Sequence, residues 1–184
     1  MPKAYSKAPP EPRRSYTVLI DTREQEPYAF DDVVTERRGL KTGDYALLEY
    51  PDAVVERKSR ADYWGCLATG RERFEAELWR LASFNYPLVV LECDWKQLCE
   101  PFLFNGGGGV MRRSKVPPLV AQNSLLSWMA RYRVPILPCG SRAQAARVVL
   151  QHFDMVDRIK KEEKKRTTVV KNLAEVAANA KTNR

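Results

Sequence analysis

Histidine is almost missing. The 184 residues hold one, His152, which excludes chemistry needing a histidine base beside a second catalytic partner, serine-histidine hydrolysis included. His152 falls in a helical pattern and reads as a surface or packing residue. The four cysteines, Cys66, Cys93, Cys99 and Cys139, form no C-x-x-C pair and have no histidine nearby. They read as reduced, partly buried thiols rather than metal ligands. No apolar run reaches the ~18 residues of a membrane helix, and no signal-peptide core follows Met1. These absences predict a soluble intracellular protein, in the cytoplasm and nucleoid or in a nucleus, with no membrane partner. The tetraglycine at 106–109 precedes Arg112-Arg113-Ser114-Lys115 and does not match G-x-x-x-x-G-K-[ST], so it is not a phosphate-binding P-loop. Carboxylate chemistry remains.

What is present is a core and an uneven charge. Hydrophobic residues make up 44% of the chain, enough for one domain. The net charge is +8, but residues 1–14 carry +3, residues 158–184 carry +6 and residues 15–157 carry −1. The sequence therefore divides into a flexible basic arm (1–14), a folded body (15–157) and a basic tail (158–184) that is partly helical or disordered. Basic ends around a neutral body suit a polyanion, most simply nucleic acid; solvated tails with no ligand are the plainer reading.

The chain is organised around residues 43–62. Tyr45 to Tyr50 and Ala53 to Lys58 are β-prone, and Pro51-Asp52 between them signals a turn. Alternation puts Val54, Glu56 and Lys58 on one face of the second strand. A carboxylate and an ammonium on an apolar strand are costly to bury without a partner or a task. A turn centred on Pro51-Asp52 sets Ala46-Leu47 across from Glu56 and leaves Asp44 about 10 Å from it, unless the strand bends at Gly43. An acid followed by acid-X-Lys at a strand end suits a Mg²⁺ nuclease, in which oxygen ligands hold the metal and the lysine faces the phosphate. From the spacing alone, a solvated hairpin explains these charges equally well.

The remaining elements follow from periodicity. Tyr16 to Asp21 is a buried strand ending in Asp21-Thr22-Arg23-Glu24, and Val33 to Arg37 is a second strand. Ser59 and Asp62 form a capping box for a helix from about Arg60 to Ala68. Thr69-Gly70-Arg71-Glu72 is a second capping-box pattern, and its helix runs to about Phe84 on the stripe Phe74, Leu78 and Leu81, with Trp79 packed against the core. Pro87 to Cys93 is a central parallel strand, and Asp94 to Cys99 is a short helix. Residues 101–117 are a loop, either a flexible connector or a basic DNA-contacting segment through Arg112, Arg113 and Lys115. Pro118 to Tyr132 is a helix with Leu119, Leu125, Leu126, Trp128 and Met129 toward the core. Val134 to Pro138 is a strand, and Ser141 with Gln144 caps a last helix with Ala145, Val148 and Val149 inside. This order predicts an α/β fold with a mixed central sheet flanked by helices.

Asp21-Thr22-Arg23-Glu24, Gly43-Asp44-Tyr45, the block from Val55-Glu56-Arg57-Lys58-Ser59 to Asp62, and Gly70-Arg71 together resemble the nuclease domain of the XPF/Mus81 (ERCC4) family, whose motif is GD-Xn-ERK-X3-D. The resemblance covers about residues 16–150 and favours the nuclease over the solvated hairpin. It implies a restriction-endonuclease-like fold and Mg²⁺-dependent cleavage of branched or flapped DNA in repair or recombination, with Mn²⁺ as a substitute. By position it implies Asp21, Asp44 and Glu56 as metal carboxylates and Lys58 as the catalytic lysine. Glu24 and Asp62 join these as active-site acids, and Arg23, Arg57 and Arg71 contact DNA or orient ligands. Many members carry a tandem helix-hairpin-helix module after this domain; residues 158–184 hold no glycine for such a turn. Recognition then falls to the basic arms, the loop, a second copy of the chain or another protein. Leu125, Trp128, Met129, Val148, Val149, Phe153 and Val156 exceed what a small sheet face needs, and they predict a homodimer through the last helices. The alternative function is an inactive DNA-binding or partner subunit of the same fold. Cleavage of RNA is a third.

Overall fold

The computed structural model describes residues 14–107 and 109–182. The basic arm, apart from Arg14, lies outside the described residues.

Five strand segments with branched or aromatic side chains build most of one sheet: β1 (Thr17–Ile20), β2 (Val34–Arg37), β3 (Tyr45–Leu47), β4 (Ala53–Ser59) and β5 (Tyr86–Glu92). With β8 (Ile136–Pro138) they form six strands in the order β2-β1-β3-β4-β5-β8. β3 runs antiparallel to β1 and β4, and the other pairs are parallel. Side chains alternate between two cores. Leu19, Ala46, Val54, Val89 and Leu91 face one, and Val18, Ile20, Val55, Leu88 and Val90 face the other.

Helices α1 (Arg60–Leu67), α2 (Arg71–Leu81), α3 (Trp95–Leu98) and α4 (Pro118–Tyr132) contribute to the first core through Tyr63, Phe74, Leu78, Leu98 and Trp128. Helix α5 (Arg142–Thr182) covers the second with Ala145, Val149, Phe153 and Val156. The caps at Ser59 and Ser141 are those expected from the sequence, whereas the Thr69–Glu72 pattern caps nothing: Gly70 is the N-cap of α2 and has no side chain to make the bond. Ser59 Oγ accepts from Asp62 N at 3.0 Å. Asp94 and Gln97 close a capping box on α3, and Ser141 and Gln144 exchange bonds at the start of α5.

Several expectations change. The β3–β4 register pairs Tyr45 with Val55 and Ala46 with Val54, so the connection is five residues long, Leu48 to Asp52, rather than a tight turn. That slides β3 along β4 and carries Asp44 up beside Glu56. Residues 101–117 contain a hairpin, β6 (Leu103–Asn105) and β7 (Met111–Arg113), with Gly106 N donating to Val110 O at 2.9 Å. On α4 the buried face is Ala121, Leu125 and Trp128, one i, i+4, i+7 stripe. Leu119 and Leu126 lie on another stripe and are 62% and 52% exposed. Trp79 steps off the Phe74-Leu78-Leu81 face of α2 and is 73% exposed. Of the residues nominated for a dimer face, Leu125, Trp128, Val149, Phe153 and Val156 are buried within the single chain, and Met129 and Val148 are partly buried. Helix α5 continues through the charged run as one element to Thr182. The four cysteines are free, and His152 packs with Nε2 3.2 Å from Tyr86 O. Among the described residues, no helix is long and apolar enough to cross a membrane.

Candidate active site

One face of the sheet, at the ends of β1 and β4 and the start of β3, gathers the motif acids. Leu19 and Asp21 lie two residues apart, as do Val54, Glu56 and Lys58, so all point to the α1–α2 side. Gly43 makes the approach possible. Its φ is +79°, and a Cβ there would overlap Val54 Cγ1 and press on Val55 O. The backbone therefore turns tightly over β4, with Asp44 N donating to Val55 O at 2.9 Å and Asp21 N donating to Asp44 O at 2.8 Å. These bonds bring Asp21, Asp44 and Glu56 to one cleft of about 420 Å³, shared with Arg23, Glu24 and Glu77.

The three motif carboxylates are not equivalent. Asp21 is buried, and four donors fill its oxygens. Arg23 N and Nε reach Oδ1 at 2.7 and 2.8 Å, while Arg23 Nη2 and Leu40 N reach Oδ2 at 3.0 and 2.7 Å. The Arg23 bonds hold its pKa at about 2 against the opposing effect of burial. Asp44 accepts one bond, from Arg57 N to Oδ2 at 2.8 Å. Burial drives its pKa up to about 6; the Arg57 N–H opposes this, and the charges of Glu24 and Glu77 add to it. Glu56, 5% exposed, is raised well above its ordinary value. Burial is the main cause, with Asp44 and Glu77 adding to it and Lys58 opposing.

Lys58 is the cation in this cluster. Its Nζ donates to Glu56 Oε1 at 2.7 Å and to Glu77 Oε2 at 3.2 Å and lies 5.0 Å over the Phe74 ring. Burial lowers its pKa, but Glu56 and Glu77 more than offset this, and the group is raised overall. It therefore stays an ammonium at neutral pH.

The structure separates the other expected site residues. Glu24 lines the cleft and meets Arg57 Nη1 at 3.3 Å. Arg57 is turned to the opposite sheet face by strand alternation. Its guanidinium binds Glu92 at 2.7 Å and is 13% exposed. Asp62 is not in the cleft; it accepts from Ser59 Oγ at 2.7 Å as part of the α1 cap. Arg71 points to α4, bonding Glu75 at 3.2 Å and Ser124 Oγ at 2.8 Å. Arg112, Arg113 and Lys115 line a different groove. Glu77, Arg80, Lys41 and Gln25 also line the cleft and were not singled out from the sequence. Glu77 carried a signal: Phe74, Glu77, Leu78 and Leu81 are spaced i, i+3, i+4, i+7, which places an acid inside an apolar stripe.

The donor set fits a hard divalent cation. Asp44 Oδ1 and Glu56 Oε2 have no hydrogen-bond partner among the described residues, and both carboxylates are held where ionisation is unfavourable. Among the described residues, no three acids converge closely enough to enclose an ion alone. Mg²⁺ commonly takes one or two carboxylates and fills its octahedron with waters and phosphate. Asp21 has both oxygens occupied by Arg23 and Leu40.

Comparison with known proteins places this geometry in context. A model of the ERCC4 domain family matches residues 20–152. No curated protein matches the sequence. Among solved structures, XPF from Aeropyrum pernix is 17% identical with a TM-score of 0.57, over 81% of this chain and 69% of that one. XPF from Aeropyrum pernix in complex with DNA is 16% identical with a TM-score of 0.57, over 78% of this chain and 66% of that one. At such identity the likeness speaks for the fold, which is restriction-endonuclease-like.

Proposed function

The chain belongs to the ERCC4 domain family, whose members are generally nucleases, and from that membership and its cleft we propose a Mg²⁺-dependent DNA endonuclease that cuts branched or flapped DNA. The observation that carries the reading is a pair of carboxylates in the cleft with one unfilled oxygen each, Asp44 Oδ1 and Glu56 Oε2. Burial disfavours the charged form of both, and a cation bound between them, like protonation, relieves that cost.

Asp44 and Glu56 would hold the metal, in the cleft that Glu77 also lines. Mg²⁺ held there, or Mn²⁺ in its place, would supply a lowered pKa for water and stabilisation of charge on the attacked phosphate. Lys58 stays protonated, so it is not the base that activates water. Its role is a fixed positive charge beside the developing phosphorane. Asp21 acts by holding Arg23 in bidentate register, and the Arg23 side chain is 71% exposed with Nη1 free for a phosphate. Gly43 and the Arg57 N–H set where Asp44 stands.

The test is cleavage of flap, fork, Holliday-junction and linear DNAs, with a matched RNA, in Mg²⁺, Mn²⁺ and EDTA. Metal-dependent cutting of the branched DNAs, lost in Asp44→Asn, is expected. Equal cutting by that variant would overturn the site. Binding of the same DNAs with no cutting under any metal would favour an inactive partner subunit.

A further inference from the structure

Away from the cleft, helix α1 and the β6–β7 hairpin enclose a groove of about 560 Å³, a size usual for small-molecule sites. Three aromatic rings stack along it. Trp64 and Phe102 lie 5.6 Å apart at 8°, and Phe102 and Phe104 lie 6.3 Å apart at 19°. Trp64 ends the stack inside the protein at 3% exposure, and Phe104 ends it at the surface at 41%. Arg112, opposite Phe104 in the hairpin register, stands in the groove with Arg113 and Lys115. None of the three makes an ion pair among the described residues, and no acid lines the groove. Two buried donors here have no partner, Trp64 Nε1 and Arg60 Nε, and the Arg60 guanidinium lies 5.5 Å over the Phe102 ring. The wall on the α1 side is kept low by Ala61, Gly65 and Ala68. A Cβ added at Gly65 would meet nothing within 4 Å.

A soluble domain gains little by keeping an open aromatic end beside three free cations unless something covers them both. A flat, anionic ligand does so: stacking serves any base because every base has a π-face, and cations beside it track the phosphates. We propose that this groove binds an unpaired stretch of DNA, with a base continuing the stack on Phe104 and the adjoining phosphates on Arg112, Arg113 and Lys115. The site would hold the unpaired arm of a flap or fork while the duplex lies at the cleft. The inference rests on the DNA reading above and gives the chain a handle on branch structure within its own fold.

The experiment measures binding by fluorescence anisotropy, in EDTA so that no cleavage enters. The probes are a labelled oligo-dT of about ten nucleotides, within the length one such groove engages, and an equally long abasic oligomer. The dT oligomer is expected to bind on the order of tenfold more tightly. That advantage should vanish in Phe104→Ala and persist in Phe104→Tyr. Gly65→Leu should fill the groove and abolish the advantage while circular dichroism shows helix intact, since leucine is the better helix former. Replacing Arg112 or Arg113 by glutamine should flatten the slope of log affinity against log salt by about 0.7 per phosphate lost. Equal affinity for dT and abasic oligomers, or an unchanged Phe104→Ala, overturns the groove whatever the cleavage assay returns. Intact groove binding with no cleavage overturns only the nuclease reading. Displacement of dT by a tighter-binding peptide of alternating glutamate and tryptophan would assign the groove to a protein partner and overturn the proposal.

Discussion

Replacing Asp44 by asparagine should destroy cleavage and, in the absence of metal, stabilise the fold. Burial raises this carboxyl from 3.8 to about 6, which at ~1.4 kcal/mol per tenfold is a ceiling of about 3 kcal/mol set against the folded state. Below pH 3.8 both states hold the proton, and the effect is nil. Between 3.8 and about 6 the unfolded chain has released its proton while the folded one keeps it, so stability falls as pH rises. Above that window the penalty is constant. Asparagine has no charge to desolvate, and its side-chain oxygen can still accept the Arg57 N–H that now reaches Oδ2 at 2.8 Å. The difference in melting temperature between variant and wild type in EDTA should therefore open between pH 4 and 6 and plateau at roughly 3–10 °C above it. Mg²⁺ should raise the wild-type melting temperature and narrow the gap by mass action. Cleavage should fall on the order of 10³-fold, the effect of losing a charged ligand. Melts across that pH range, with and without Mg²⁺, decide the matter. A variant that is no more stable than wild type at pH 8 in EDTA would refute the claim that Asp44 is held at an electrostatic cost for function.

The other substitutions separate chemistry from scaffold. Lys58→Met removes the ammonium between Glu56 and Glu77 and should cost about 3 kcal/mol in urea melts without metal, part of it regained with Mg²⁺, together with loss of cleavage. Arg57→Gln should cost a similar amount, about 3 kcal/mol, by leaving Glu24 and Glu92 short of their shared cation, yet leave duplex DNA affinity in EDTA unchanged. Weakened DNA binding in a fully folded Arg57→Gln would return that guanidinium to the DNA surface. Phe153→Glu places a charge at a site with 0% exposure and should unfold the chain, costing more than about 4 kcal/mol; a folded variant altered only in assembly, by sedimentation, would restore the dimer face.

Much of the scaffold was legible because the elements carry local signals. The apolar run of β5, the capping residues Ser59 and Ser141, and the Phe74-Leu78-Leu81 stripe each specify an element without help from the rest of the chain. Exposure was less legible. Leu119, Leu126 and Trp79 are as apolar as their buried neighbours, and only the packing of α2 and α4 on the sheet decides which stripe faces in. The hairpin at 103–113 was hidden by its glycines, which signal a break but not the pairing on either side.

The cleft itself turned on register, which no local pattern determines. A turn centred on Pro51-Asp52 would hold Asp44 about 10 Å from Glu56, too far to share an ion of Mg²⁺ size. The five-residue connection removes that gap, and what selects it is burial. In the observed register Tyr45 and Leu47 enter the α5 core with Ala53 and Val55, while Ala46 enters the other core with Val54. A slip by one residue would exchange the faces of Tyr45 and Ala46 and set the phenol of Tyr45 among aliphatic side chains. It would also lose the stack of Tyr45 on Tyr28 at 5.2 Å and the bond from Tyr28 N to Tyr45 Oη at 2.9 Å. The residues that bring the acids together are therefore apolar and aromatic ones on the far side of the sheet. Asp44 and Glu56, raised in pKa and short of positive charge, would drift apart if the local electrostatics alone decided.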